Sequence, residues 1–342
     1  EEFMRVAVIG ATGNVGTAVL RRLVAAPEVT EIVGIARRKP DLAQAPYTGV
    51  TWRSIDVGSA SAVSLMTEAL HGVDAVIHLA WALQPNHNER AMRRTNVTGT
   101  RNVLAAVAAA GVPQIAVASS VGAYSPGPKR RRVDESWPTG GLPTSHYAQH
   151  KARNERALDA FEAAHPQVIV TRLRPGLIFQ RDAGNEIAGL FLGAHFPTRW
   201  LTALPIPVLP FPSQGIFQAV HASDVADAFW RSIDRRAGGA FNIAAEPVLD
   251  PRAIADVLGA KTWMPVRARV VRALVELTWR LRIQATDAGW IDIAVNVPVM
   301  STDRARQILG WTPSVTSTDA LAEIVDAVAH RNSLGDRGPL GG

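Results

Sequence analysis

The chain has 342 residues, with 36 lysines and arginines against 30 acidic residues and a formal charge of +6. Hydrophobic residues make up 47% and charged residues 19%, the balance of a folded globular chain rather than a disordered one. The absence of cysteine excludes disulfides, thiolate metal sites and a cysteine nucleophile. Only Lys39, Lys129, Lys151 and Lys261 are lysines, so the basic excess is arginine. The arginines are scattered apart from the run Lys129-Arg130-Arg131-Arg132, and a solvated surface accounts for them better than a nucleic-acid partner. No apolar run reaches the roughly 18 residues of a membrane span, so no membrane partner and a cytoplasmic location are expected. Glu1-Glu2-Phe3 before Met4 reads as a cloning remnant, and 332–342 as a frayed tail.

In chain order, β-branched runs at 5–10, 31–36, 51–55, 75–79 and 114–119 predict strands. Helical patterns at 15–26, 60–70 and 89–110 lie between them, which predicts an α/β fold with a parallel, doubly wound sheet. A Pro-, Gly- and Arg-rich loop then leads to a helix at 145–164 and a strand at 168–173. Beyond Pro175 the pattern is irregular, with a strand at 216–220 and helices at 222–233, 265–283, 302–309 and 318–329. Asp250-Pro251 marks a further helix start. Residues 4–175, together with the strand and helix near 216–243, are expected to form a dinucleotide-binding core. Residues 176–330 mainly form a smaller, C-terminal substrate-binding lobe.

The first strand runs into Gly10-Ala11-Thr12-Gly13-Asn14-Val15-Gly16. Glycines there admit positive φ and close approach of backbone to a pyrophosphate, while amides at the helix start meet its charge. The second strand ends without a carboxylate and is followed by Arg37-Arg38. A carboxylate would bind a ribose 2′-hydroxyl, whereas arginine suits a 2′-phosphate. NADP(H) is therefore expected in preference to NAD(H), which remains possible, with Arg37 the leading contact and Arg38 the second.

Tyr147 and Lys151 stand four residues apart on one helical face. A phenol at its ordinary pKa of roughly 10 is a poor acid–base group, and a nearby ammonium favours the phenolate. Ser119-Ser120 end the fifth strand, where open α/β sheets bind ligands, and offer a hydroxyl to a substrate oxygen.

Together these residues resemble the extended short-chain dehydrogenase/reductase family, which is epimerase/dehydratase-like. The ordered markers include Gly10–Gly16, Asp56-Val57, Ile77-His78-Leu79-Ala80, Asn96-Val97-Thr98-Gly99, Ser119-Ser120-Val121-Gly122-Ala123-Tyr124, Tyr147 with Lys151, and Arg174-Pro175-Gly176. The resemblance implies a Rossmann fold and a catalytic trio of Ser120, Tyr147 and Lys151, with Ser119 lining the cofactor. It also implies that Asp56 and Val57 border the adenine, and that Leu79, Ala80, Trp81 and Pro175 flank the nicotinamide ribose. Lys151 would hold the ribose hydroxyls and Asn96 would be structural or relay a proton. A homodimer through helices 89–110 and 145–164 is implied as well.

His78 is expected to be a packed, hydrogen-bonded residue, His221 is expected to be architectural, and no metal is expected. Lys129–Arg132 reads as a solvated loop. Val121-Gly122 after Ser120 lacks the Asp-Glu pair of family dehydratases, which argues against dehydration. Trp81, Phe179, Phe191, Leu192, Phe196, Trp200, Leu201 and Phe217 are candidate apolar pocket residues. They favour an NADP(H)-dependent carbonyl reductase or alcohol dehydrogenase acting on a mainly apolar small molecule. A sugar-nucleotide epimerase is the alternative, and a non-catalytic NADPH-sensing protein the third reading.

Overall fold

In the computed structural model, which describes residues 3–83, 87–179, 207–283 and 287–330, seven strands form one parallel sheet. They are β1 (Met4–Ile9), β2 (Val29–Ala36), β3 (Thr51–Ser54), β4 (Ala75–His78), β5 (Gln114–Ala118), β7 (Ile169–Pro175) and β11 (Gly239–Ile243). Their spatial order is β11-β7-β5-β4-β1-β2-β3, so the order reverses beside β1, where β4 and β2 flank it. Open sheets of this kind bind ligands at the carboxyl ends beside that reversal.

Alternation along β1 decides what each face packs against. Val6 and Val8 join Leu20 and Leu23 of α1 (Asn14–Val24) and Phe229 of α6 (Ala222–Asp234). Ala7 and Ile9 point the other way, to Met66 of α2 (Ala62–Ala69), Val103 and Val107 of α4 (Gly99–Ala110), and a cluster that reaches Phe161 of α5 (His146–Ala164). Helices thus cover both faces, as a doubly wound sheet requires.

The predicted helix 89–110 is continuous but not uniform. It runs as α3 (Glu89–Arg93), a π-helical turn at Arg94–Thr98, and α4. Among the described residues, three parallel strand pairs lie outside the large sheet: β8 (Leu177–Phe179) with β10 (Ala219–His221), β9 (Val208–Pro212) with β12 (Thr262–Val266), and β6 (Arg132–Val133) with β13 (Val299–Met300). The predicted strand 216–220 shortens to β10 because Phe217 forms an isolated bridge to Leu249. The predicted helix 265–283 divides, since 262–266 finds a strand partner at 208–212 and only α8 (Ala268–Arg280) is helical. Periodicity within one segment cannot see such a pairing.

A separate apolar cluster of Phe179, Ala219, Leu249, Ile254, Ala320 and Ile324 organises the smaller lobe. It draws on α7 (Pro251–Val257) and α10 (Ser317–His330). Asp250 caps α7, its Oδ1 accepting from the Ala253 amide at 2.8 Å. Helix α9 (Gly289–Asn296) sends Ile293 into a small apolar cluster with Leu142 and with Ala148 at the amino end of α5.

Candidate active site

The turn after β1 shows why glycine stands at its first and last positions. Gly10 has φ +86, and a Cβ there would lie 2.5 Å from the Ala80 amide nitrogen. A Cβ on Gly16 would lie 2.2 Å from the Gly10 carbonyl oxygen. Gly13 differs, because it is exposed and a Cβ would meet only the Gly10 oxygen at 3.5 Å. Gly13 is the cap residue of α1 and supplies no side-chain acceptor to the first turn. Packing alone therefore does not demand glycine at 13, whereas a phosphate seated on the helix start does. Thr12, Asn14 and Val15 line the same turn, half-buried. This cradle fits the pyrophosphate of a nicotinamide dinucleotide.

Arg37 and Arg38 lie exposed just beyond β2, and neither side chain forms an ion pair among the described residues. Asp56 is more committed than its assignment to the adenine implies. Its Oδ1 accepts from the Gly58 amide at 3.0 Å and its Oδ2 from Arg94 Nη2 at 2.6 Å. Val57 is buried against Gly99, and its carbonyl accepts from Asn102 at 2.8 Å. Leu79 extends β4, its amide donating to the Ile9 carbonyl at 2.7 Å, and Ala80 lies over Gly10. Pro175 ends β7 opposite Ile243 of β11, buried at the same edge of the sheet.

Helix α5 carries Tyr147 and Lys151. Ser145 caps it, accepting from the Ala148 amide at 3.2 Å, which starts the helix one residue before Tyr147. Ser120 Oγ accepts from the Gly122 amide at 2.9 Å, and the Tyr147 ring and Ser120 Oγ both lie against Gly122. A Cβ on Gly122 would stand 2.9 Å from the Tyr147 ring, so that glycine makes the Ser120–Tyr147 approach possible. Lys151 Nζ donates to the Ala118 carbonyl at 2.8 Å and sits 3.6 Å from the Trp81 ring centroid and 5.8 Å from that of Tyr147. Trp81 and Trp290 bracket the phenol, with centroids at 5.5 and 4.9 Å.

Burial pushes Tyr147 up to about 12, against a smaller opposing effect of the Ser120 hydroxyl. Burial also lowers Lys151 to about 7, opposed by Glu155. The expected lowering of the phenol by the ammonium is therefore absent in this state, where desolvation is the larger effect. At neutral pH Tyr147 is a protonated donor beside Ser120.

Ser119 turns inward, its Oγ donating to Glu155 Oε1 at 2.6 Å. Glu155 is wholly buried and also accepts from Arg174 Nε at 2.9 Å and Arg172 Nη1 at 3.0 Å. Against the cost of burial, Arg174 chiefly holds its carboxyl down at about 2. This ionic network lies one turn of α5 below Lys151 and was not legible as a set, because β7 brings its arginines from a distance. Asn96 occupies the π-helical turn and brackets Ala82, accepting from its amide at 2.6 Å and donating to its carbonyl at 2.8 Å. It thereby fixes the chain just after Trp81, a positioning task.

His78 is buried, its Nε2 lies 3.0 Å from Thr100 Oγ1, and burial lowers it to about 3, so it stays neutral. His221 caps α6 and pairs with Glu323 at 3.1 Å. Of the Lys129–Arg132 run, Arg130, Arg131 and Arg132 are exposed as expected, and Lys129 is the exception. Lys129 Nζ donates to the carbonyls of Ile216 at 2.6 Å and Ala294 at 2.9 Å, Arg131 covers the Trp137 ring, and Arg132 pairs with Glu246 at 2.7 Å. Of the expected apolar pocket, Trp81 reaches the site. Phe179 and Phe217 pack in the smaller lobe's core instead, and Phe191, Leu192, Phe196, Trp200 and Leu201 lie outside the described residues. Residues 1–2 and the tail 332–342 also lie outside them. Trp290 and Asp287, which line the cavity beside Tyr147, carried no sequence signal.

Fold and candidate site together have the layout of the extended short-chain dehydrogenase/reductase type. The family model for the NAD dependent epimerase/dehydratase family matches residues 6–244, and the chain belongs to that family. An uncharacterized protein of Mycobacterium tuberculosis is 27% identical over 98% of this chain, which spans 31% of that relative's length. The dTDP-6-deoxy-L-talose 4-dehydrogenase (NAD(P)(+)) of Kitasatospora kifunensis is 25% identical over 94% of each chain. The solved UDP-glucose 4-epimerase of Thermus thermophilus, in complex with NAD, shares the fold at TM-score 0.68 and 21% identity, covering 97% of this chain and 100% of its own.

Proposed function

We propose that this chain oxidises and re-reduces a secondary alcohol of a nucleotide-linked sugar, as a sugar-nucleotide epimerase. The observation that carries this reading is the juxtaposition of Ser120 and Tyr147 across Gly122, with Lys151 one turn along, in a chain similar over 94% of its length to a dTDP-6-deoxy-L-talose 4-dehydrogenase. The turn Gly10–Gly16 would hold the cofactor's pyrophosphate, and Lys151 its nicotinamide ribose. Arg37 and Arg38 would take a 2′-phosphate, which supports NADP(H) over NAD(H). A bound nicotinamide would supply hydride acceptance and return at the carbinol carbon. Tyr147 passes a proton to or from the oxygen on that carbon, and Ser120 hydrogen-bonds the same oxygen. Lys151, when protonated, would favour the phenolate needed for proton removal.

A net carbonyl reductase is the second reading, favoured by the indole rings of Trp81 and Trp290 on either side of Tyr147. The two separate when UDP- and dTDP-hexoses are offered with catalytic NAD(P)+ and followed by proton NMR. Epimer without net reduced cofactor supports the first reading. Stoichiometric oxidation of NADPH by an apolar ketone, with no epimer formed, overturns it. A homodimer through α4 and α5 is also proposed, since Ala105 and Ala109 leave a small-residue stripe exposed on α4, and sedimentation equilibrium tests it.

A further inference from the structure

Helix α8 buries none of its residues, yet it carries a row of large apolar side chains. Val270, Leu274 and Leu277 on the helix, and Leu281 at its end, are 59%, 61%, 54% and 61% exposed. Steps of four, three and four place them along one stripe of the surface. Singly exposed leucines are ordinary, whereas a contiguous stripe held in water is not. The opposite face is tethered to the protein. Arg272 Nε bonds Asp292 Oδ1 at 3.0 Å, and the Trp279 ring stacks on His87 at 4.3 Å. The apolar stripe therefore points outward.

Its charged surroundings indicate what it meets. Arg269 and Arg280 are exposed along one edge, while Arg267 precedes the helix and Arg282 follows it, both exposed. Between 267 and 283 there are five arginines and one acid, Glu276, which pairs with Arg280 at 2.7 Å. Pairing this face with a second copy would set arginine against arginine, a repulsive arrangement. An anionic surface reverses that sign.

We infer that α8 docks on an anionic lipid bilayer, with Val270, Leu274, Leu277 and Leu281 at the headgroup–acyl boundary and the arginines reaching the phosphates. Arginine stems are long enough to cover apolar surface while the guanidinium stays in the polar layer. No described helix is long and apolar enough to cross a membrane, so the attachment is to its surface. The tether Asp292 lies on α9, which also bears Trp290 against Tyr147, so docking would place the reaction site beside the bilayer. This inference does not depend on which substrate the site takes.

Cosedimentation of the full chain with vesicles tests it. Wild type should bind phosphatidylglycerol–phosphatidylcholine vesicles at low salt and bind phosphatidylcholine alone much less. Leu274→Asp with Leu277→Asp should weaken binding about tenfold or more. Each of Arg267→Gln and Arg269→Gln should weaken it about fivefold, and added salt should do the same. Circular dichroism should match wild type in all variants, because the side chains are exposed. Absence of vesicle binding by wild type overturns the inference, as does equal binding to neutral vesicles. It is also overturned if sedimentation equilibrium shows the leucine variant dissolving a dimer while vesicle binding stays unchanged.

Discussion

Gly13 and Gly16 separate two tasks that glycine performs in one turn. Adding a methyl at 16 forces it to 2.2 Å from a backbone oxygen, which the β1–α1 junction cannot relieve. Adding one at 13 meets nothing closer than 3.5 Å, and φ −73 suits any residue. Gly13→Ala should therefore keep the thermal midpoint within a few degrees while weakening cofactor binding about tenfold or more in titration calorimetry. Unchanged cofactor affinity would take the phosphate away from this turn. The turn was readable in the sequence because all its parts are contiguous. Gly122 stood in a quoted motif without a role, since its constraint comes from Tyr147, 25 positions later.

At the scale of the element, α5 combines what was readable with what was not. The spacing of Tyr147 and Lys151 follows from helical geometry alone, as does their shared face. Glu155 sits one turn further on the same face, but its partners Arg172 and Arg174 come from β7 and Ser119 from just beyond β5. Only the folded sheet assembles that group. Burial also lowers Lys129 and Lys151 to about 7 from the ordinary 10.5. Between those values the unfolded chain binds more protons than the folded one, so stability rises with pH in that window. Tyr124 and Tyr147, raised to about 12, oppose this only above their ordinary value of 10. Urea midpoints of wild type should accordingly increase from pH 7 towards 9, and Lys129→Met should flatten the increase. An unaltered slope in that variant would show that Lys129 keeps an ordinary pKa in the folded chain.

For the whole molecule, alternating strands and helices foretold the parallel doubly wound sheet, whose carboxyl edge is where the candidate site was expected. The connections of the smaller lobe were less legible. Pairing of 208–212 with 262–266, and the Lys129 clamp on Ile216 and Ala294, join segments far apart in the chain and leave no local period. Trp290 reaches Tyr147 for the same reason, through the packing of α9 against α5. What unites these scales is one claim, that proton transfer at the substrate oxygen belongs to Tyr147, held by Ser120 and Gly122 and backed by Lys151. Tyr147→Phe removes one hydroxyl from a ring whose packing between Trp81 and Trp290 is unchanged. Turnover and cofactor dissociation constant should be measured side by side for wild type and Tyr147→Phe. The expected result is a fall in turnover of about 10²–10⁴-fold with cofactor affinity preserved within a few-fold. Turnover equal to wild type in a variant that still binds cofactor would contradict the claim.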